Sequence, residues 1–335
     1  ATLFISAAAA AHLIGAPVGA ASPAPAVPDV VAVVWRPTPS PPPARGAFQL
    51  GRWRDSWTPQ QHAAAITQVR QAISRGDVYQ LNVVGHAAAD YQGDPLPALR
   101  RLTRLPGARY PIVLTGAGWA VGCASPETLL TVEAGRMVTR PIKGTRPATA
   151  AGRTELVTSA KERAEHVMIV DLCRNDLAQV AQTGSVRVEQ LYAVRRWCHL
   201  WQAESVVSAV PAAGVGLADV LTAVCPGGSV TGAPKLAALA LIAALEPVGR
   251  GPAMGLLGWI GPDRIDLGVT IRTAAADSQR LHVWAGGGIT WDSDPQEEVA
   301  EAVAKAAPLR AALAGSAVGA EHRPPHQRGQ IGAVG

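Results

Sequence analysis

The chain has 335 residues, of which 48% are hydrophobic and 16% charged, with a formal net charge of +5. That is apolar material for a sizeable core in one large domain or two ordinary ones. The mild charge, without a lysine/arginine run interleaved with aromatics, points away from a nucleic-acid partner. No stretch of about 18 apolar residues suggests a membrane span.

The opening "ATLFISAAAAAHLIGAPVGA" lacks the basic start of a signal peptide and is read as structure, not as a targeting signal. "VVAVVW" reads as a strand, and "RPTPSPPPAR", residues 36–45, as a proline-rich connection. Residues 1–45 are therefore expected to be an N-terminal segment with its proline-rich connection, followed by the main body over 46–313; the resemblance set out below implies that the first is truncated and the second catalytic. The tail, 314–335, has no apolar periodicity and is expected to be disordered.

The body opens with a helix over 58–76, capped by Thr58, with Pro59 at its first position and Gly76 at its end. Strands are expected in "VYQLNVVGHA", "PIVLTGAGWAVGC" and "TLLTVEAGRMVTR". Then comes "RPIKGTRPATA". The chain has 26 arginines and only four lysines, one of them Lys143 in this stretch. An amine can lose its proton and attack carbon, whereas a guanidinium stays charged.

A helix over 159–182 starts on the capping box of Ser159 and Glu162. It places Glu165 near the core-facing side, where a carboxylate needs a metal or cation as partner; an ordinary salt-bridged glutamate fits the pattern as well. Asp171, Arg174 and Asp176 of "DLCRND" are equally open to a structural ion-pair reading. After the strand "SVRVEQL" and a helix over 216–224 comes "CPGGSVTGAPK". Gly227 and Gly232 have phosphate-loop spacing, but Ala233 and Pro234 replace the Lys-Ser/Thr pair, which excludes a nucleotide P-loop. A helix over 234–246 follows, then strands in "MGLLGWIG", "IDLGVTIRTAAA" and "RLHVWAGGGIT".

In the last of these strands Gly286, Gly287 and Gly288 permit close approach of backbone to a ligand. Asp294 caps a final helix over 295–313, on which Glu298, Glu301 and Lys305 share one face. Glu301 and Lys305 suit an ordinary i, i+4 pair. They equally suit carboxylates for a hard divalent cation with a lysine to meet a substrate anion. Oxygen-only ligands would favour magnesium over zinc. Strands in consecutive hairpin-like pairs predict an α+β fold with largely antiparallel sheets. The four scattered cysteines make no CxxC pair, so a reduced, cytoplasmic setting is expected.

In order, "SPETLL", "PIKGT", "KERAEHVMIVDLCRND", "CPGGSVTGAPK", "IDLGVTIRT" and "AGGGITWDSDP" resemble the chorismate-utilising enzymes over roughly residues 50 to 312. The resemblance implies two large packed antiparallel sheets flanked by helices, with the active site in the cleft between them. It makes Glu127 the general acid/base. Glu165 and Glu301 become magnesium ligands, with Glu298 acting directly or through water. Arg272 would contact a substrate carboxylate; Gly286, Gly288 and Lys305 would hold the ring carboxylate, with Gly287 also at the substrate. Thr145, Thr231 and Gly232 would also meet substrate. For the family's histidine, "HLWQ" offers His199, while "SVVS" places Ser205 there. Gln80 stands where isochorismate and salicylate synthases carry a water-activating lysine, and Lys143 stands where anthranilate synthases carry alanine. This pattern resembles the branch that aminates chorismate to 4-amino-4-deoxychorismate for 4-aminobenzoate and folate, with ammonia from a glutamine amidotransferase subunit. The alternatives are anthranilate formation and a weakly active chorismate-binding paralogue of secondary metabolism.

Overall fold

The computed structural model describes residues 1–36 and 47–315. The proline-rich connection beyond Arg36 and the tail beyond Gly315 lie outside them. The fold is α+β, as expected. Among the described residues, one antiparallel sheet has nine strands and a second has eight. Phe4, Leu130, Met137, Leu256, Leu257 and Leu267 of the first and Val84, Leu114, Val121 and Ala275 of the second are buried in one cluster. Burying each large side chain contributes roughly 1.5–3 kcal/mol.

Local chemistry fixes several boundaries. The helix Pro59–Arg75 has a reciprocal capping box between Thr58 and Gln61, and Gly76 closes it at φ 82°. "PIVLTGAGWAVGC" and "TLLTVEAGRMVTR" are each a hairpin. The second turns on Ala134 and Gly135, both at positive φ, the conformation that joins twisted strands through two residues. "IDLGVTIRTAAA" is not one strand. Arg264–Val269 belongs to the nine-stranded sheet and Thr273–Ala276 to the eight-stranded sheet. The chain changes sheets at residues 270–272, where Arg272 has φ 52°.

Two helices frame the space between the sheets. Ala160–Ala178 packs against the strands Ile142–Pro147 and Leu200–Ala209. Pro295–Ala314 packs on the glycine-bearing strand Arg280–Ile289. On the outer face of the eight-stranded sheet, Ala87, Ala120, Ala124, Ala274 and Ala276 let Leu99, Leu102, Leu309 and Leu313 pack closely. No helix among the described residues is long and apolar enough to cross a membrane.

Candidate active site

A cavity of about 520 Å³ opens between the sheets, with these two helices in its wall. It gathers Glu127, Lys143, Thr145, Glu165, Arg272, the three glycines 286–288, Glu298, Glu301 and Lys305.

Lys143 lies on the strand Ile142–Pro147, paired with Ala203. The register slips between Lys143 and Thr145, and Gly144 sits at φ 79°. Such a bulge re-aims side chains, and here both Lys143 and Thr145 face the cavity. Only glycine suits that backbone, and a Cβ there would also come within 2.9 Å of Glu162 Oε2. Burial lowers the Lys143 pKa, and Lys305 adds to the effect, while Glu165, Glu127 and Glu301 act against it.

Gly288 explains the glycine run. A Cβ there would stand 2.5 Å from Lys143 Nζ and would also strike Gln80 Nε2. The strand must therefore be bare for amine and carboxamide to meet over it. Both obstructing atoms end flexible side chains, so a Gly288→Ala protein should fold with a near-normal melting temperature. Displacing them should lower kcat by about a hundredfold, the scale on which small misplacements act; steady-state kinetics beside thermal denaturation checks this.

Glu127 follows the strand Trp119–Ser125 and is 3% exposed. Burial raises its carboxyl pKa to about 7, partly offset by the Ser229 hydroxyl bonded to it and by Lys143. It can therefore carry a proton near neutral pH. Arg272, 6% exposed, stacks 4.5 Å above Trp197 and donates to Lys305 O at 2.8 Å. Burial lowers its pKa to about 10, so it remains a cation. Lys305 Nζ pairs with Glu301 at 2.7 Å and donates to Gly286 O at 3.1 Å.

Burial and the neighbouring Glu301 raise Glu298 to about 7. Burial and Glu162 raise Glu165, while Lys143 opposes them. Burial also pushes Glu301 up, but Lys305, Arg146 and Lys143 outweigh it and hold it below the usual carboxylate range. This is a hard-oxygen donor set. Among the described residues no three acidic, histidine or cysteine side chains close into a metal cage by themselves. A hard divalent cation on such a set would need water or further oxygens to complete its shell.

Several expected residues stand elsewhere. His199 is exposed in the turn between Arg187–Trp197 and Leu200–Ala209 and does not line the cavity, although Leu200 and Gln202 of the same "HLWQ" do. Ser205 instead lies beside Pro141 and bonds His166 at 2.6 Å. Thr231 does not line the cavity; its hydroxyl turns back to Gly227 O at 2.9 Å. Gly232 is also outside the lining and pairs with Leu81, supporting the strand that carries Gln80. Gln80 is 1% exposed beneath Gly288. Sequence reasoning passed over Ser229, Lys161 and Arg146, which line the cavity, and Glu162, noted only as a helix cap. Lys161 and Glu162 are one turn before Glu165, a spacing that could have flagged them.

Residues 20–311 match the family described as chorismate binding enzyme. The chain belongs to that family. It is 37% identical over 267 residues to aminodeoxychorismate synthase component 1 of Klebsiella aerogenes, covering 77% of this chain and 59% of the relative. It is 38% identical over 271 residues to anthranilate synthase component 1 of Aquifex aeolicus, covering 78% and 54%. The chain thus spans less than two thirds of these relatives. The structure resembles anthranilate synthase component I from Streptococcus pneumoniae with a TM-score of 0.71 and 32% identity, over 77% of this chain and 59% of that one. Identity alone does not divide these chorismate binding enzymes by product.

Proposed function

We propose that the chain aminates chorismate to 4-amino-4-deoxychorismate, with Lys143 as a covalent nucleophile. The observation that carries this reading is a primary amine, its pKa lowered by burial, sharing a cavity with a protonated-range carboxyl at Glu127. The neutral Lys143 amine adds to ring C2, the C1–C2 double bond shifts to C1–C6, the C5–C6 double bond shifts to C4–C5, and the C4 hydroxyl leaves. Glu127 donates the proton with which that hydroxyl departs as water. Ammonia then attacks C4, the double bonds return to C5–C6 and C1–C2, and the C2–N bond breaks to free Lys143. Two such displacements leave C4 with retained configuration. Arg272 and Lys305 meet substrate carboxylates as fixed cations. Glu165, Glu298 and Glu301 would hold magnesium, which supplies charge neutralisation at a substrate carboxylate.

The sign of the pH dependence follows. Lys143 must be deprotonated and Glu127 protonated, so kcat/KM should rise as the lysine loses its proton and fall above about pH 7 as Glu127 ionises. The Ser229 hydroxyl favours the Glu127 carboxylate, so Ser229→Ala should move the alkaline limb to higher pH. An unmoved limb would remove Glu127 from that role.

Ammonia is proposed to come from a separate glutamine amidotransferase subunit. Cys123, Cys173, Cys198 and Cys225 are all buried, and burial raises each thiol, Cys198 to about 11 and Cys225 to about 12, which suits none as a glutaminase nucleophile. The purified chain should use ammonium but not glutamine. Chromatography after incubation with chorismate, magnesium and ammonium tests the reaction: 4-amino-4-deoxychorismate is expected, and anthranilate as the main product contradicts it.

A further inference from the structure

The turn between the glycine strand and the last helix carries two hydroxyls that the roles above leave unused. Thr290 Oγ1 donates to Glu165 Oε1 at 2.9 Å. Ser293 Oγ donates to Glu298 Oε1 at 2.6 Å. The two glutamates stand on different helices, Ala160–Ala178 and Pro295–Ala314, so this short turn bonds to both. The turn is closed on itself. Thr290 N donates to Ser293 Oγ at 3.1 Å, and Ser293 N donates to Thr290 O at 3.2 Å. Ser293 is 1% exposed and Thr290 is 9% exposed, and Asp294 directly after them caps the last helix.

We propose that Thr290 and Ser293 are positioning residues that pre-orient Glu165 and Glu298 for one divalent cation. This rests on the reading of those glutamates as cation ligands. Each hydroxyl engages one carboxylate oxygen and leaves the other available. In Glu298 the free Oε2 lies 3.0 Å from where a Cβ on Gly287 would stand, on the cavity side. Glu162 lies beside Glu165, and Glu301, the third proposed ligand, lies beside Glu298, so without a cation this like charge would tend to turn the carboxylates away. Hydroxyl donors fixed by a closed turn oppose that motion. Partners of this outer kind typically change metal affinity by about 10–100-fold.

The test is Mn²⁺ binding to the whole, substrate-free protein, followed by the loss of the free-ion electron paramagnetic resonance signal. Thr290→Val removes a hydroxyl at constant shape, and Thr290→Ser keeps it; Ser293→Ala removes the second. Thr290→Val and Ser293→Ala should each weaken Mn²⁺ by about 10–100-fold, while Thr290→Ser stays near wild type. Thermal melts on the same samples separate loss of fold from loss of affinity. Wild-type affinity in both hydroxyl-deletion variants, with Glu298→Gln and Glu165→Gln weakened, overturns the positioning role and leaves the ligand reading intact. Unchanged affinity in the two glutamine variants, or no Mn²⁺ binding by wild type, overturns both.

Discussion

A Lys143→Arg enzyme should lose at least about three orders of magnitude in kcat, roughly 4 kcal/mol of transition-state stabilisation. Arginine keeps the positive charge and the reach to nearby carboxylates, so a lysine that served only as a cation would tolerate the change. A guanidinium does not deprotonate in this range and cannot add to a ring carbon. Lys143→Ala should fall as far, with KM for chorismate changed much less, because Arg272 and Lys305 remain to meet the carboxylates. Equal kcat in the arginine variant and wild type would remove the covalent step. The environment makes this a demanding comparison. Burial lowers the Lys143 pKa, yet Glu165, Glu127 and Glu301 lie near enough to favour the charged form.

Glu301→Gln should lower magnesium-dependent turnover by at least about a hundredfold and raise the magnesium concentration needed for half-maximal rate. A carboxamide offers a neutral oxygen where a hard dication requires charge. The substitution also loosens Lys305, which Glu301 holds at 2.7 Å. Lys305→Met separates the two effects, since it removes the ion pair while sparing the carboxylate. The expected order is a much larger shift in magnesium dependence for Glu301→Gln than for Lys305→Met. Near-normal activity of Glu301→Gln over the same magnesium range would place the metal elsewhere.

What could be read from sequence follows the range of the physics involved. The helix Pro59–Arg75 was fully legible, because Thr58, Pro59 and Gly76 act within one turn of their own positions. "IDLGVTIRTAAA" was misread as a single strand, because the crossover at Arg272 occurs without glycine or proline to mark it. The helix expected over 159–182 ends at Ala178, and the helix before it, Ala150–Thr158, left no clear apolar stripe to detect. Glu127, Lys143, Glu165 and Glu301 could be chosen as residue types in motifs. Their convergence depends on two sheets and two helices meeting, which no local window encodes. His199 shows the opposite failure: the residue type suited a site, but a hairpin turn carries it to the surface. Ser229 stands inside "CPGGSVTGAPK", but nothing local marks its bond to Glu127 across 102 positions of chain.

The central claim is tested most directly by mass spectrometry of the protein incubated with chorismate and magnesium but without ammonia. Lys143 should carry an adduct of chorismate less one water. It should disappear on adding ammonium, with release of 4-amino-4-deoxychorismate, and should be absent in Lys143→Ala. An unmodified Lys143 under conditions where the same sample turns over on adding ammonium would contradict a covalent lysine intermediate.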